Sequence, residues 1–155
     1  MRKYILLTAA VGLLNACGHV GADADVAVKE QARQFAEAYF NYDFDKARRF
    51  VVPESEKWLR FAASNVTQED VDLVNAAQKA ASAEVTMCDH QNDSMVCVMV
   101  SVRHVVLKDT IGRPAYMADE AEFALTLVRR GDDYQVRMEG LPRNERQSRG
   151  SASDE

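Results

Sequence analysis

At Ser82 the apolar residues change their period, and no other feature of the chain limits its fold as sharply. Upstream they recur every three or four positions, as one face of a helix requires. Downstream they alternate, as a half-buried strand requires. The downstream side chains are also β-branched: Val85, Val96, Val98, Val100, Val102, Val105 and Val106. This pattern predicts strands at about 83–90, 95–108, 120–130 and 133–140. Asn92-Asp93 and Gly131-Asp132 read as hairpin turns, and Gly112-Arg113-Pro114 falls in a longer loop. Four antiparallel strands follow.

The helical half begins at Val26, where Val28, Ala32, Phe35, Ala36, Tyr39 and Phe40 make one apolar stripe and Lys29, Glu30, Arg33 and Glu37 fill the other side. Asn41-Tyr42-Asp43 breaks it, and Asp43 can cap a short second helix carrying Phe44, Ala47, Phe50 and Val51. Pro53-Glu54-Ser55-Glu56 suits the first turn of a third, through Trp58, Phe61 and Ala62. Thr67-Gln68-Glu69-Asp70 reads as a capping box with Asp in place of Glu, opening a fourth helix to about Ala81. Helices followed by hairpins make an α+β domain over residues 26–141, with N-terminal helices packed on a curved four-stranded antiparallel sheet. Residues 142–155 are polar, lack apolar periodicity and read as a disordered tail.

With 47% hydrophobic and 28% charged residues, the chain has the composition of a folded domain. The stretch from Phe35 through Asn41-Tyr42-Asp43-Phe44 to Ala47, followed by Trp58, resembles the small lipoproteins with a nuclear transport factor 2-like, or cystatin-like, cone fold. The resemblance covers most of residues 26–140. It implies a sheet wrapped around the first helix, with a pocket at the open end in some members. Many members are noncatalytic binding or assembly domains, and some are isomerases or dehydratases.

The first residues tell where such a domain works. Arg2 and Lys3, a short apolar stretch and a small residue before Cys17 have the anatomy of a secretory signal, too short to span a membrane. Leu14-Asn15-Ala16-Cys17 resembles the lipobox of bacterial lipoproteins, departing only at Asn15. The expected reading is a signal peptide over 1–16, a Cys17 acylated by palmitate-type chains, and a small, acidic tether over 17–25. Each buried acyl methylene contributes roughly 0.8 kcal/mol to membrane binding. Loss of Arg2 and Lys3 from 19 basic residues, against 24 acidic ones, leaves seven net negative charges. That balance argues against nucleic acid and leaves the lipid as the tie to the membrane. The protein is therefore expected in a bacterial cell envelope, lipid-anchored and periplasmic or surface-exposed.

An exported chain meets an oxidising compartment. If Asn92-Asp93 is a two-residue turn, Cys88 faces Cys97 across a non-hydrogen-bonded pair, where the Cα separation of about 4.5 Å suits a disulfide. A disulfide stapling this hairpin is expected. No metal is expected, because Cys88, His90 and Cys97 match no zinc spacing and His90 falls on the other face of its strand.

The row Val96, Val98, Val100, Val102, His104, Val106 puts a histidine on an apolar face. With Tyr39, Trp58 and Tyr116, His104 is the candidate pocket residue of the cone. The opposite row holds Met99, Val105 and Leu107, an apolar surface for a protein partner or a second copy. No nucleophile elbow, phosphate-binding glycine loop or paired-histidine metal motif occurs in the sequence. The expected function is accordingly a noncatalytic binding or assembly module for a protein or small ligand, with no cofactor. The alternative is a pocket enzyme of the isomerase or dehydratase kind, using His104 with Asp43, Asp45, Tyr42 or Tyr116.

Overall fold

The computed structural model describes residues 20–109 and 112–145. The expected signal over 1–16, the lipid site at Cys17 and residues 146–155 of the expected tail lie outside the described residues. Helix α1 spans Val20–Phe40 and so takes in residues 20–25 of the expected tether. Asp23 favours this extension from the positive end of the helix. Asp25 ties it to the sheet, with its carboxylate 2.6 Å from His90 Nε2. The buried stripe of α1 is Val28, Ala32, Phe35, Ala36 and Tyr39, as its period demands.

Tyr42 ends α1 in the left-handed region at φ 61°. Its N–H donates to Tyr39 O (3.1 Å) and that of Asp43 to Ala38 O (2.9 Å), which satisfies the last carbonyls of the helix. Asp43 then caps α2 (Phe44–Ala47) by accepting from Lys46 N at 3.0 Å. Helix α3 (Glu56–Ser64) is entered through a single 3-10 turn over Pro53–Ser55. The capping box of Thr67 and Asp70 opens α4 (Gln68–Ala76), which stops short of Ala81. There the Asn41 side chain clamps the backbone, donating to Ala81 O (2.8 Å) and accepting from Ala81 N (2.9 Å). That exchange fixes the chain where it enters the sheet.

Strands β1 (Ser82–Asn92), β2 (Met95–Leu107), β3 (Tyr116–Arg130) and β4 (Asp133–Arg137) form one antiparallel meander in that order. Helix α1 lies across one face, and Phe40 meets Phe123 of β3 with ring centroids 4.3 Å apart. The α+β architecture expected from the change of period is the architecture observed. Strand β4 ends before the anticipated residue 140 because the Met138 backbone turns to Ser55, which is buried. Met138 N–H donates to Ser55 Oγ (2.8 Å), and that hydroxyl donates back to Met138 O (3.2 Å). Val51 pairs with Val136 on the outer edge of β4, and Asn144 bridges Phe123 on β3, so the first tail residues belong to the sheet edge.

Two irregularities revise the sequence reading. The β1–β2 turn is Asp93-Ser94, with Asn92 opposite Met95. Asn92 sets it one residue late by accepting from Ser94 N through its side chain (2.9 Å). Gln91 becomes the extra residue of a bulge, so Cys88 opposes Val98 and Cys97 opposes Asp89. Paired residues share a face, which puts the two cysteines on opposite sides of the sheet. Both are free thiols, and the expected disulfide is not formed.

The second irregularity is His104, at φ 55° near the C-terminal end of β2. Up to Val102 the even residues face the core; beyond His104 the core takes Val105 and, partly buried, Leu107. Strand β3 changes phase at the same level, where Ala118 pairs with Val105. His104 therefore leaves the apolar row that the alternation assigned to it. Val105 and Leu107 likewise leave the outward surface expected of them.

Candidate functional site

The four residues expected to line one pocket share neither of the clefts described here. Tyr39 is part of the core, its ring centroid 5.6 Å from Phe35, 5.1 Å from Phe40 and 5.6 Å from Phe44. Burial pushes its phenol above the usual range. Tyr116 is exposed at the start of β3, with its hydroxyl donating to Asp109 (2.9 Å). His104 is half-buried on β2 and lines neither of the two clefts described here. Asp43 serves as a cap, and Tyr42 stacks on Phe44 at 6.0 Å.

Trp58 lines a cleft, and local chemistry puts it there. Pro53 pre-sets the turn before α3, whose Leu59 and Ala62 are buried. One helical turn before Ala62, Trp58 falls at the margin of the buried stripe and is half-buried. Its cleft is open and measures about 440 Å³, with Val52, Trp58 and Met138 as the apolar floor. The Ser55–Met138 exchange joins the α3 side of the cleft to the end of β4.

The rim is charged and mostly paired. Arg130 Nη2 donates to both Glu54 oxygens at 3.1 and 3.2 Å, and Arg137 pairs with Glu139. The backbone N–H of Glu54 itself holds its carboxyl below the usual carboxylate range against desolvation, helped by the charge and hydrogen bond of Arg130. Lys57 Nζ stands 5.5 Å from the Trp58 ring, within cation–π range. Phe61 meets Trp58 edge to face at 6.3 Å and is 43% exposed. Ser55 gives its hydroxyl to the backbone rather than to a base. The chemistry on offer is recognition: an apolar floor, an aromatic edge and guanidinium groups with fixed orientation.

A second cleft of about 290 Å³ lies beside Ser82, Glu84, Ser101 and Arg103, where Ser101 donates to Glu120. A buried ion pair closes another part of the molecule. Lys108 Nζ lies 2.6 Å from Asp70 Oδ2 and 3.3 Å from Asn65 O. Burial alone raises the Asp70 carboxyl, but hydrogen bonds from Lys108 and Thr67, with the charge of Lys108, outweigh it and leave it below the usual value. Tyr42 is pushed up to about 12, first by burial and then by the charge of Asp70.

Sequence reasoning found Trp58 and missed its companions. Arg130, Arg137 and Met138 come from the β3–β4 hairpin, and only tertiary packing brings them to α3. Ser55, which by sequence reads as an ordinary N-cap, makes no capping bond and gave no signal of its partner Met138. Among the described residues no three histidine, cysteine, aspartate or glutamate side chains gather into a metal-binding group.

No family model matches the chain, and no curated protein matches it. Among solved structures it is similar to an Ntf2 like protein involved in plasmid conjugation, at 15% identity and a TM-score of 0.42. That likeness takes in 78% of this chain, which spans about half the length of the other, 48%.

Proposed function

We propose that the chain is a noncatalytic binding module of a bacterial cell envelope, held to the membrane by lipid on Cys17 and gripping a protein partner at the Trp58 cleft. The observation that supports the binding half is Trp58, which lines an open cleft with Arg130 and Arg137 and whose edge-to-face neighbour Phe61 is 43% exposed. Interface energy concentrates in Trp and Arg set around an apolar pocket. Phe61 leaves 43% of its surface in water in the isolated domain, apolar area that a partner would cover. An open cleft with a charged rim suits a protein segment better than an enclosed small molecule. The anchoring half rests on the lipobox-like Leu14-Asn15-Ala16-Cys17.

Two alternatives have less support. The His104 enzyme needs a pocket acid or base, whereas His104 lines neither described cleft, Asp43 caps α2 and Tyr116 donates to Asp109. A partner on the outer sheet face loses two of its three anchors, because Val105 and Leu107 turn inward.

A photo-crosslinking amino acid placed at Phe61 tests the binding half in the producing cell. The expected result is one discrete crosslinked protein from position 61 and none from Lys79, which is exposed beyond α4. Equal or absent crosslinking at both positions would overturn the cleft assignment. An alkyne-tagged fatty acid tests the anchor, since the wild type should be labelled and Cys17→Ser should not.

A further inference from the structure

Bulges in β1 put sulfur-bearing residues side by side on the face of the sheet opposite the helices. Thr86 is an extra residue, as Gln91 is, so Met87 pairs with Met99 while two rungs on Asp89 pairs with Cys97. The intervening pair, Cys88 with Val98, packs inward against the core. Met87, Cys97 and Met99 therefore share the outward face. Paired Cα atoms lie about 4.5–5.5 Å apart and diagonal ones about 7–8 Å, a gap that long flexible side chains bridge.

These side chains are odd choices for packing alone. The outward face of a strand ordinarily carries polar or β-branched residues, yet this patch with Met95 holds three of the six methionines in the chain. Met87 is 51% exposed, while Cys97 and Met99 are half-buried beside it. Cys97 is a free thiol, and the Asp89 carboxylate opposite adds negative charge while accepting from Gln91 (2.7 Å). One thiolate with two thioethers is a donor set for a soft, low-charge ion. The expectation that no metal binds considered only zinc-like sets of cysteine and histidine, which the register does not assemble.

We propose that Met87, Cys97 and Met99 form a surface site for a soft monovalent metal ion, Cu(I). The Cys97 thiol gives its proton to water as the copper–sulfur bond forms, and no electron is exchanged. The positive charge of the ion is then matched by the thiolate, so binding weakens as pH falls. The site shares no residue with the Trp58 cleft and stands whether or not that cleft binds a protein.

The test uses the full-length chain carrying Cys17→Ser, purified in detergent, kept reduced and free of oxygen, and titrated with Cu(I) against bathocuproine disulfonate. One Cu(I) per chain is expected, with sulfur as its nearest neighbours by X-ray absorption. Cys97→Ser and Met99→Leu should each weaken binding at least ~10-fold, the lower end of the cost of losing even an outer-shell partner. Met87→Leu changes a half-exposed position without threatening the fold and should weaken binding in the same direction. Cys88→Ser should leave the affinity unchanged. Failure of the parent chain to compete, survival of the affinity in the Cys97→Ser/Met99→Leu double variant, or its loss in Cys88→Ser would overturn the site.

Discussion

His104 shows how one residue can mislead a pattern and explain itself afterwards. A histidine in a valine row invites a catalytic reading, but at φ 55° the residue also meets a conformational demand. Histidine, asparagine and aspartate enter the left-handed region more readily than β-branched residues do. His104→Gly should therefore keep the fold and be neutral or more stable by up to about 1 kcal/mol. His104→Val should be less stable than wild type despite its higher strand propensity, and urea unfolding midpoints would show the order. Asp70 carries a second residue-scale prediction, because it is both helix cap and buried ion-pair partner of Lys108. Asp70→Ala should cost ~3 kcal/mol, between a lost N-cap and a broken buried pair. With its folded pKa held low, the contribution of Asp70 is full above the unfolded value of about 3.9 and fades as pH falls through the folded value. The melting-temperature gap between wild type and Asp70→Asn should thus close as the solution is taken below about pH 4.

At the scale of elements, boundaries were legible wherever a local signal fixed them. Asp43 caps α2, and Thr67 with Asp70 opens α4, because each satisfies backbone donors within its own turn. Gly131, at φ 65°, turns the β3–β4 hairpin where its sequence predicts. The β1–β2 register was not legible, since Asn92 takes the first turn position by a side-chain bond and Gln91 absorbs the slip. A shift of one residue carries Cys88 and Cys97 from one face to two. Alkylation and peptide mapping of the folded, reductant-free protein should accordingly find both as free thiols, and a peptide linking them would contradict the register. The Ser55–Met138 exchange joins elements that sequence patterns treat separately. Ser55→Ala leaves the Met138 N–H without its partner and should cost about 1–3 kcal/mol in chemical denaturation.

For the whole molecule, the layer arrangement followed from two periods, because a helix stripe and a strand face each need an apolar partner. Phe35 and Phe40 of α1 were recognisable as core from spacing alone, and they are buried against the sheet. The candidate site was legible only at Trp58. Arg130 and Arg137 reach it through the twist of a hairpin, and spacing does not encode that distance. The cone resemblance implies a pocket at the open end in some members; here Tyr39, Phe40 and Phe123 pack the core, and the clefts described here open at the surface. The proposed function therefore uses a cleft at the surface of the domain. The most direct measurement is the affinity of the protein captured by crosslinking at Phe61 for wild type, Trp58→Ala and His104→Ala. The account predicts that Trp58→Ala loses at least ~30-fold, the equivalent of a 2 kcal/mol hot spot, while His104→Ala binds as wild type. Unchanged binding by Trp58→Ala, with loss in His104→Ala, would contradict it.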